Sequence, residues 1–162
     1  MTRSQAHDRE RAGTALVRPV DHRCTILVVD DDSDVRDVLG IALRDAGYRV
    51  ATVRTGREAL DFLRSHAETC LIVLDLMMPA MDGVQFRAAQ LRDRSLAWIP
   101  VIVTSAAVDV QSRAELRAAR LLRKPFDLDE LREAVESSTR ACPNAKRAAE
   151  LARPEARHLL SG

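Results

Sequence analysis

The sequence predicts an α/β fold in which a five-stranded parallel sheet is doubly wound, with helices on both faces. Short apolar, β-branched runs alternate with segments whose apolar residues recur at helical spacing. The runs are continuous rather than alternating, as expected of strands buried on both faces. Connections between parallel strands through a helix are right-handed, which carries helices to both sides of the sheet.

Thr25-Ile26-Leu27-Val28-Val29 is the first strand and stops at Asp30-Asp31-Asp32. Ser33 or Asp34 can cap the next helix, whose apolar positions are Val35, Val38, Leu39, Ala42 and Ala46. Gly47 suits the left-handed position beyond its last turn. Tyr48 to Val53 makes the second strand, and Thr55 with Glu58 forms a capping box for a helix carrying Ala59, Leu60 and Leu63. Leu71-Ile72-Val73-Leu74 is the third strand, ending abruptly at Asp75. Leu76-Met77-Met78 then leads through a Pro79-to-Gly83 turn to a helix with Val84, Ala88 and Leu91. Pro100 precedes the strand Val101-Ile102-Val103, which ends at Thr104-Ser105, and Asp109 can cap a helix through Ala119. Leu121-Leu122 is a short fifth strand closed by Lys124-Pro125-Phe126. Asp127 with Glu130 opens a last helix carrying Leu128, Leu131 and Val135, and Pro143 follows its end.

At 162 residues the chain holds about one domain, large enough to bury a core without staples. Residues 1–23 read as a flexible arm with no apolar run, neither secretory signal nor membrane anchor. Residues 24–142 form the domain. Residues 143–162 form a tail that could add a marginal helix but is too short for a DNA-binding module. With 25 Lys and Arg against 24 Asp and Glu, net charge gives no argument for direct nucleic-acid or membrane binding. Cys24, Cys70 and Cys142 lack the close spacings of zinc or redox pairs and read as reduced, mostly buried thiols of a cytoplasmic protein. His7, His22, His66 and His158 are scattered surface residues, and Trp98, Met77 and Met78 read as packing.

The strand ends are where chemistry is expected. In an open parallel sheet the ligand crevice lies beyond the carboxyl ends of the strands, and four strands end at Asp30 and Asp31, at Asp75, at Thr104 and at Lys124. Carboxylates gathered there repel one another and suit a hard divalent cation such as Mg²⁺. A carboxylate can attack phosphorus to give an acyl phosphate while a cation, a hydroxyl and an ammonium neutralise the equatorial oxygens. Asp75, Thr104 and Lys124 fit those parts.

The segments Ile26-to-Asp31, Gly56-to-Leu60, Leu74-to-Pro79 with Met81-Asp82-Gly83, Pro100-to-Ser105 and Lys124-Pro125-Phe126, in this order, resemble the receiver domain of bacterial response regulators. The resemblance implies a flavodoxin-like strand order of 2-1-3-4-5 and a receiver of two-component phosphorelays, and the short tail favours reading it as a stand-alone one. Asp75 would accept a phosphoryl group from a sensor histidine kinase or histidine phosphotransfer protein. Asp31, Asp75 and the Met77 backbone carbonyl would ligate Mg²⁺, with Asp30 acting through a water. Thr104 would bond the phosphoryl oxygens, Lys124 would pair with the acids, and the Lys124-Pro125 bond would be cis. Output would be a switch in protein binding on the face of the fourth helix, fifth strand and fifth helix, with a homodimer allowed. The chain would be no enzyme beyond self-catalysed phosphotransfer and autodephosphorylation.

Family members usually carry Tyr or Phe three residues before the lysine, as a switch partner of the threonine. Here Leu121 stands there, without a hydroxyl, and Ala118-Ala119 replaces the usual Gly-Ala. Two other readings compete: a phosphatase similar to the haloacid dehalogenases using Asp30, and a receiver-like interaction module that is never phosphorylated.

Overall fold

The computed structural model describes residues 25–107, 110–140 and 142. The N-terminal arm with Cys24, the Asp109 cap, Pro143, the tail, and His7, His22 and His158 lie outside the described residues. In chain order the elements are β1 (Thr25–Val29), α1 (Ser33–Asp45), β2 (Arg49–Val53), α2 (Gly56–Ser65), β3 (Thr69–Asp75), α3 (Gly83–Arg92), β4 (Val101–Ser105), α4 (Val110–Glu115), β5 (Arg120–Arg123) and α5 (Leu128–Thr139). All four strand pairings are parallel and the order is β2-β1-β3-β4-β5, as the resemblance implies. β1, β3 and β4 are buried along their whole length, which explains their unbroken apolar runs, whereas the edge strands β2 and β5 are partly exposed.

Side chains alternate across the sheet and divide the core in two. Leu27, Val29, Ile72, Leu74, Val101 and Val103 meet α2, α3 and Leu116 on one face. Ile26, Val28, Leu71, Val73 and Ile102 meet α1 and α5 on the other. Cys70 and Cys142 are buried and form no disulfide among the described residues. Among the described residues, no helix is long and apolar enough to cross a membrane.

Several local expectations are corrected. The cap of α1 is Asp32, not Ser33 or Asp34; its carboxylate accepts from the amides of Asp34 and Val35. Gly47 does take a left-handed φ of 91°, one residue beyond the Ala46 cap. Thr55 caps α2, but Glu58 reaches back to the amide of Arg54 rather than to that of the cap. α4 ends at Glu115 instead of Ala119, because Arg117 adopts a φ of 48° and turns the chain into β5.

The largest difference is α3. Val84 is exposed and Ala88 and Leu91 are only half-buried, while Phe86, Arg87 and Gln90 face the core. Arg87 is 4% exposed, and burial lowers the pKa of its guanidinium. Its Nε donates to the Leu116 carbonyl at 2.8 Å, Nη2 to that of Arg117 at 2.9 Å, and Nη1 to Gln90 Oε1 at 2.6 Å. Gln90 Nε2 donates in turn to the carbonyls of Leu96 and Ile99. Buried polar groups survive when they are hydrogen-bonded, so a polar stripe here does the work that apolar periodicity was expected to do.

Candidate functional site

The reversal of strand order between β1 and β3 opens a crevice at their carboxyl ends. Val29 and Leu74 are register partners, so the next residues, Asp30 and Asp75, stand side by side. Asp75 in turn pairs with Thr104 on β4. Lys124, just past β5, closes the row: its Nζ lies 3.1 Å from both Asp30 Oδ2 and Asp75 Oδ1. Asp31 completes the cluster, with ligand oxygens of Asp30, Asp31 and Asp75 all within 4.8 Å of one another. The sequence-predicted site residues Asp30, Asp31, Asp75, Thr104 and Lys124 are thus brought together.

The three carboxylates are not equivalent. Both oxygens of buried Asp30 are engaged, Oδ1 by the amide of Asp32 at 2.9 Å and Oδ2 by Lys124. Asp75 is buried too, but only its Oδ1 is bonded; Oδ2 takes no hydrogen bond from the described residues. The Asp31 carboxylate is exposed and has no partner among the described residues. Burial pushes the Asp75 carboxyl above its ordinary value of 3.8; Lys124 opposes that rise, and the negative charges of Asp30 and Asp31 add to it. Burial alone would lower the Lys124 pKa, but its hydrogen bonds to Asp75 and Asp30 reverse this and hold the ammonium above 10.5. The donor set is all carboxylate oxygen, crowded and anionic, and fits a hard divalent ion.

The surroundings are held closely. Thr104 is buried with its hydroxyl 3.4 Å from the Leu74 carbonyl, a long contact for an O–H donor. The Lys124-Pro125 bond is cis. α3 starts hard against Asp75: a Cβ on Gly83 would fall 2.6 Å from the Asp75 carbonyl oxygen, so only glycine fits there. Leu121 is half-buried against the core, away from a polar role. Met78 packs inside as expected, but Met77, two residues past Asp75, is 72% exposed and does not. Beside Lys124 runs an apolar groove of about 630 Å³, lined by Val35, Val38, Leu39, Phe126 and Leu128. Val38 and Leu128 are well exposed.

One site residue escaped the sequence reading. Arg36 folds back from α1 and donates from Nη1 to the carbonyls of Asp30 and Asp31, at 2.7 and 2.9 Å. The available signal was its place in the first turn after an acidic cap, from which a long side chain points back toward the helix start.

The chain matches the family model described as the response regulator receiver domain over residues 26–136. It is 41% identical over 109 residues to the response regulator MprA of Mycolicibacterium vanbaalenii, covering 65% of this chain and 46% of that protein. It is 31% identical over 112 residues to sporulation initiation phosphotransferase F of Bacillus subtilis, covering 68% of this chain and 90% of that one. The chain spans about half the length of most curated relatives it matches. The crystal structure of chemotaxis protein CheY4 of Vibrio cholerae superposes with a TM-score of 0.66 at 28% identity, covering 71% of this chain and 98% of that one. Joined to the strand order 2-1-3-4-5 and to the acidic crevice at the tips of β1 and β3, the match establishes that this chain belongs to the response regulator receiver family.

Proposed function

We propose that the chain is a phosphoacceptor that takes a phosphoryl group on Asp75 from a histidine kinase or a histidine phosphotransfer protein, with Mg²⁺, and thereby switches its binding to another protein. The observation that carries this reading is the asymmetry of the Asp75 carboxylate, whose Oδ1 is held by Lys124 while Oδ2 carries no bond from the described residues. Oδ2 would attack the phosphorus of a phosphohistidine; the P–N bond breaks and the leaving imidazole takes up a proton. Thr104 gives up its long contact with the Leu74 carbonyl and donates to a phosphoryl oxygen, and Lys124 neutralises another.

Asp31, Asp75 and the Met77 carbonyl would hold Mg²⁺ directly, and Asp30, with both oxygens already engaged, would act through a water. When bound, the ion supplies charge neutralisation for the transferred group. Occupation of both Asp30 oxygens also argues against the phosphatase reading, which needs Asp30 as a nucleophile. The groove beside Lys124 suits a helical phosphodonor, since Val38 and Leu128 offer apolar surface next to the acceptor. Two buried cysteines that form no disulfide among the described residues fit a reducing, cytoplasmic setting.

Output is assigned to protein binding in this reading, supported by the apolar groove beside Lys124 with exposed Val38 and Leu128. Acetyl phosphate with Mg²⁺ should add one phosphoryl group by intact mass, and Asp75→Ala should abolish it. Persistent labelling of that variant at a neighbouring Asp would overturn the assignment.

A further inference from the structure

We infer that Arg36 is a positioning residue for the metal-binding carboxylates, acting through the backbone of the two residues that carry them; the inference rests on the reading of the acid pocket as a Mg²⁺ site. The segment between the end of β1 and the Asp32 cap consists of Asp30 and Asp31 alone. A single nitrogen of Arg36 takes the carbonyls of both. These carbonyls precede the helix and have no place in its ladder, whose first bond runs from the Arg36 amide to the Asp32 carbonyl.

The placement of this cation needs a reason. A helix N-terminus carries partial positive charge and disfavours a guanidinium. Three carboxylates with oxygens within 4.8 Å repel one another and tend to splay the short loop that carries two of them. Arg36 accepts the first cost and opposes the splaying. Its two charge-assisted bonds fix the backbone rotation after each Cα, so the Asp30 and Asp31 side chains converge before any ion arrives. Groups that orient metal ligands in this way commonly change metal affinity by about ten- to a hundredfold when removed.

Charge and positioning predict opposite outcomes for the same substitution. Arg36→Met deletes a cation near a cation site, so simple Coulomb attraction would tighten metal binding. Loss of positioning would weaken it. The experiment is Mn²⁺ binding followed by electron paramagnetic resonance, with Mg²⁺ as competitor, on the full chain and on Arg36→Met, Arg36→Lys and Asp31→Asn. Each protein is measured below its own unfolding midpoint.

Arg36→Met should weaken Mn²⁺ and Mg²⁺ binding about tenfold, and the loss should persist in high salt, where long-range charge effects are screened. Arg36→Lys, which keeps the charge and enough donors for both carbonyls but on a shorter, more flexible stem, should recover only part of it and keeps the test open if the Met variant fails to fold. Equal or tighter binding by Arg36→Met, while Asp31→Asn loses the ion, would overturn the role of Arg36 and leave the site standing. No uptake by the unmutated chain would overturn the site itself and the inference with it.

Discussion

Lys124 Nζ lies 3.1 Å from Asp75 Oδ1, yet this partner does not offset the burial of the carboxylate, whose pKa is raised above 3.8. The folded chain therefore holds the Asp75 proton more tightly than the unfolded chain does. Stability from that proton is fully present below the unfolded value and is lost as pH rises through the folded one. At neutral pH and without metal, an ionised Asp75 thus costs stability. Asp75→Asn should raise the urea midpoint of the metal-free protein at pH 7, and the gain should shrink as pH falls toward the ordinary carboxylate range. A gain that is flat in pH would refute this origin.

Asp31 and Asp32 are adjacent but do different work, since Asp31 leaves its carboxylate open while Asp32 caps α1. Asp31→Asn should weaken Mg²⁺ binding in a calorimetric titration, and Asp32→Asn should leave it intact. Asp32→Ala should instead cost about 1 kcal/mol of stability, the usual worth of a lost cap. Equal metal loss for Asp31→Asn and Asp32→Asn would contradict the division of roles.

A phosphoryl group on Asp75 should be long-lived. The resemblance to the receiver family implies that the residues two beyond the aspartate and two beyond the threonine flank the path of attacking water, and here they are Met77 and Ala106. Neither a thioether nor a methyl group orients water well or acts as a base, and Met77, two residues past Asp75, is exposed. Autodephosphorylation should speed up in Met77→Asn/Ala106→Glu. An unchanged rate would remove both residues from control of the lifetime.

Arg87 holds two carbonyls at the end of α4 that no other described donor takes. Arg87→Met should leave the buried Leu116 carbonyl and the part-buried Arg117 carbonyl without this donor and cost about 1–3 kcal/mol in urea denaturation. Arg87→Lys should not restore the loss, because a single ammonium cannot reproduce the planar fork. Full stability in either variant would show that the network contributes nothing net.

The strands and the acids at their ends were legible because a strand buried on both faces writes itself as an unbroken apolar run, as Leu71 to Leu74 do before Asp75. The order in which polar residues close those runs carried the site as well. What escaped was polar chemistry that looks like solvent-facing surface in one dimension. Arg87, Gln90 and Arg36 drew no reading, because most of their partners are backbone carbonyls and carbonyls leave no trace in a sequence. The short reach of α4 was hidden for a related reason: Arg117 is not a residue type that announces a left-handed turn.

The pocket draws on residues far apart along the chain. Lys124 is 49 residues from Asp75 and 94 from Asp30, and they meet only through the pairing of the sheet. An unfolded chain offers a phosphodonor Asp75 without the Lys124 ammonium or the Asp30 and Asp31 carboxylates beside it. If Asp75 is the phosphoacceptor, phosphoryl uptake would be a census of native molecules: during denaturation the labelled fraction should decline in step with the folded fraction, so the chemistry that carries the signal would also certify the carrier.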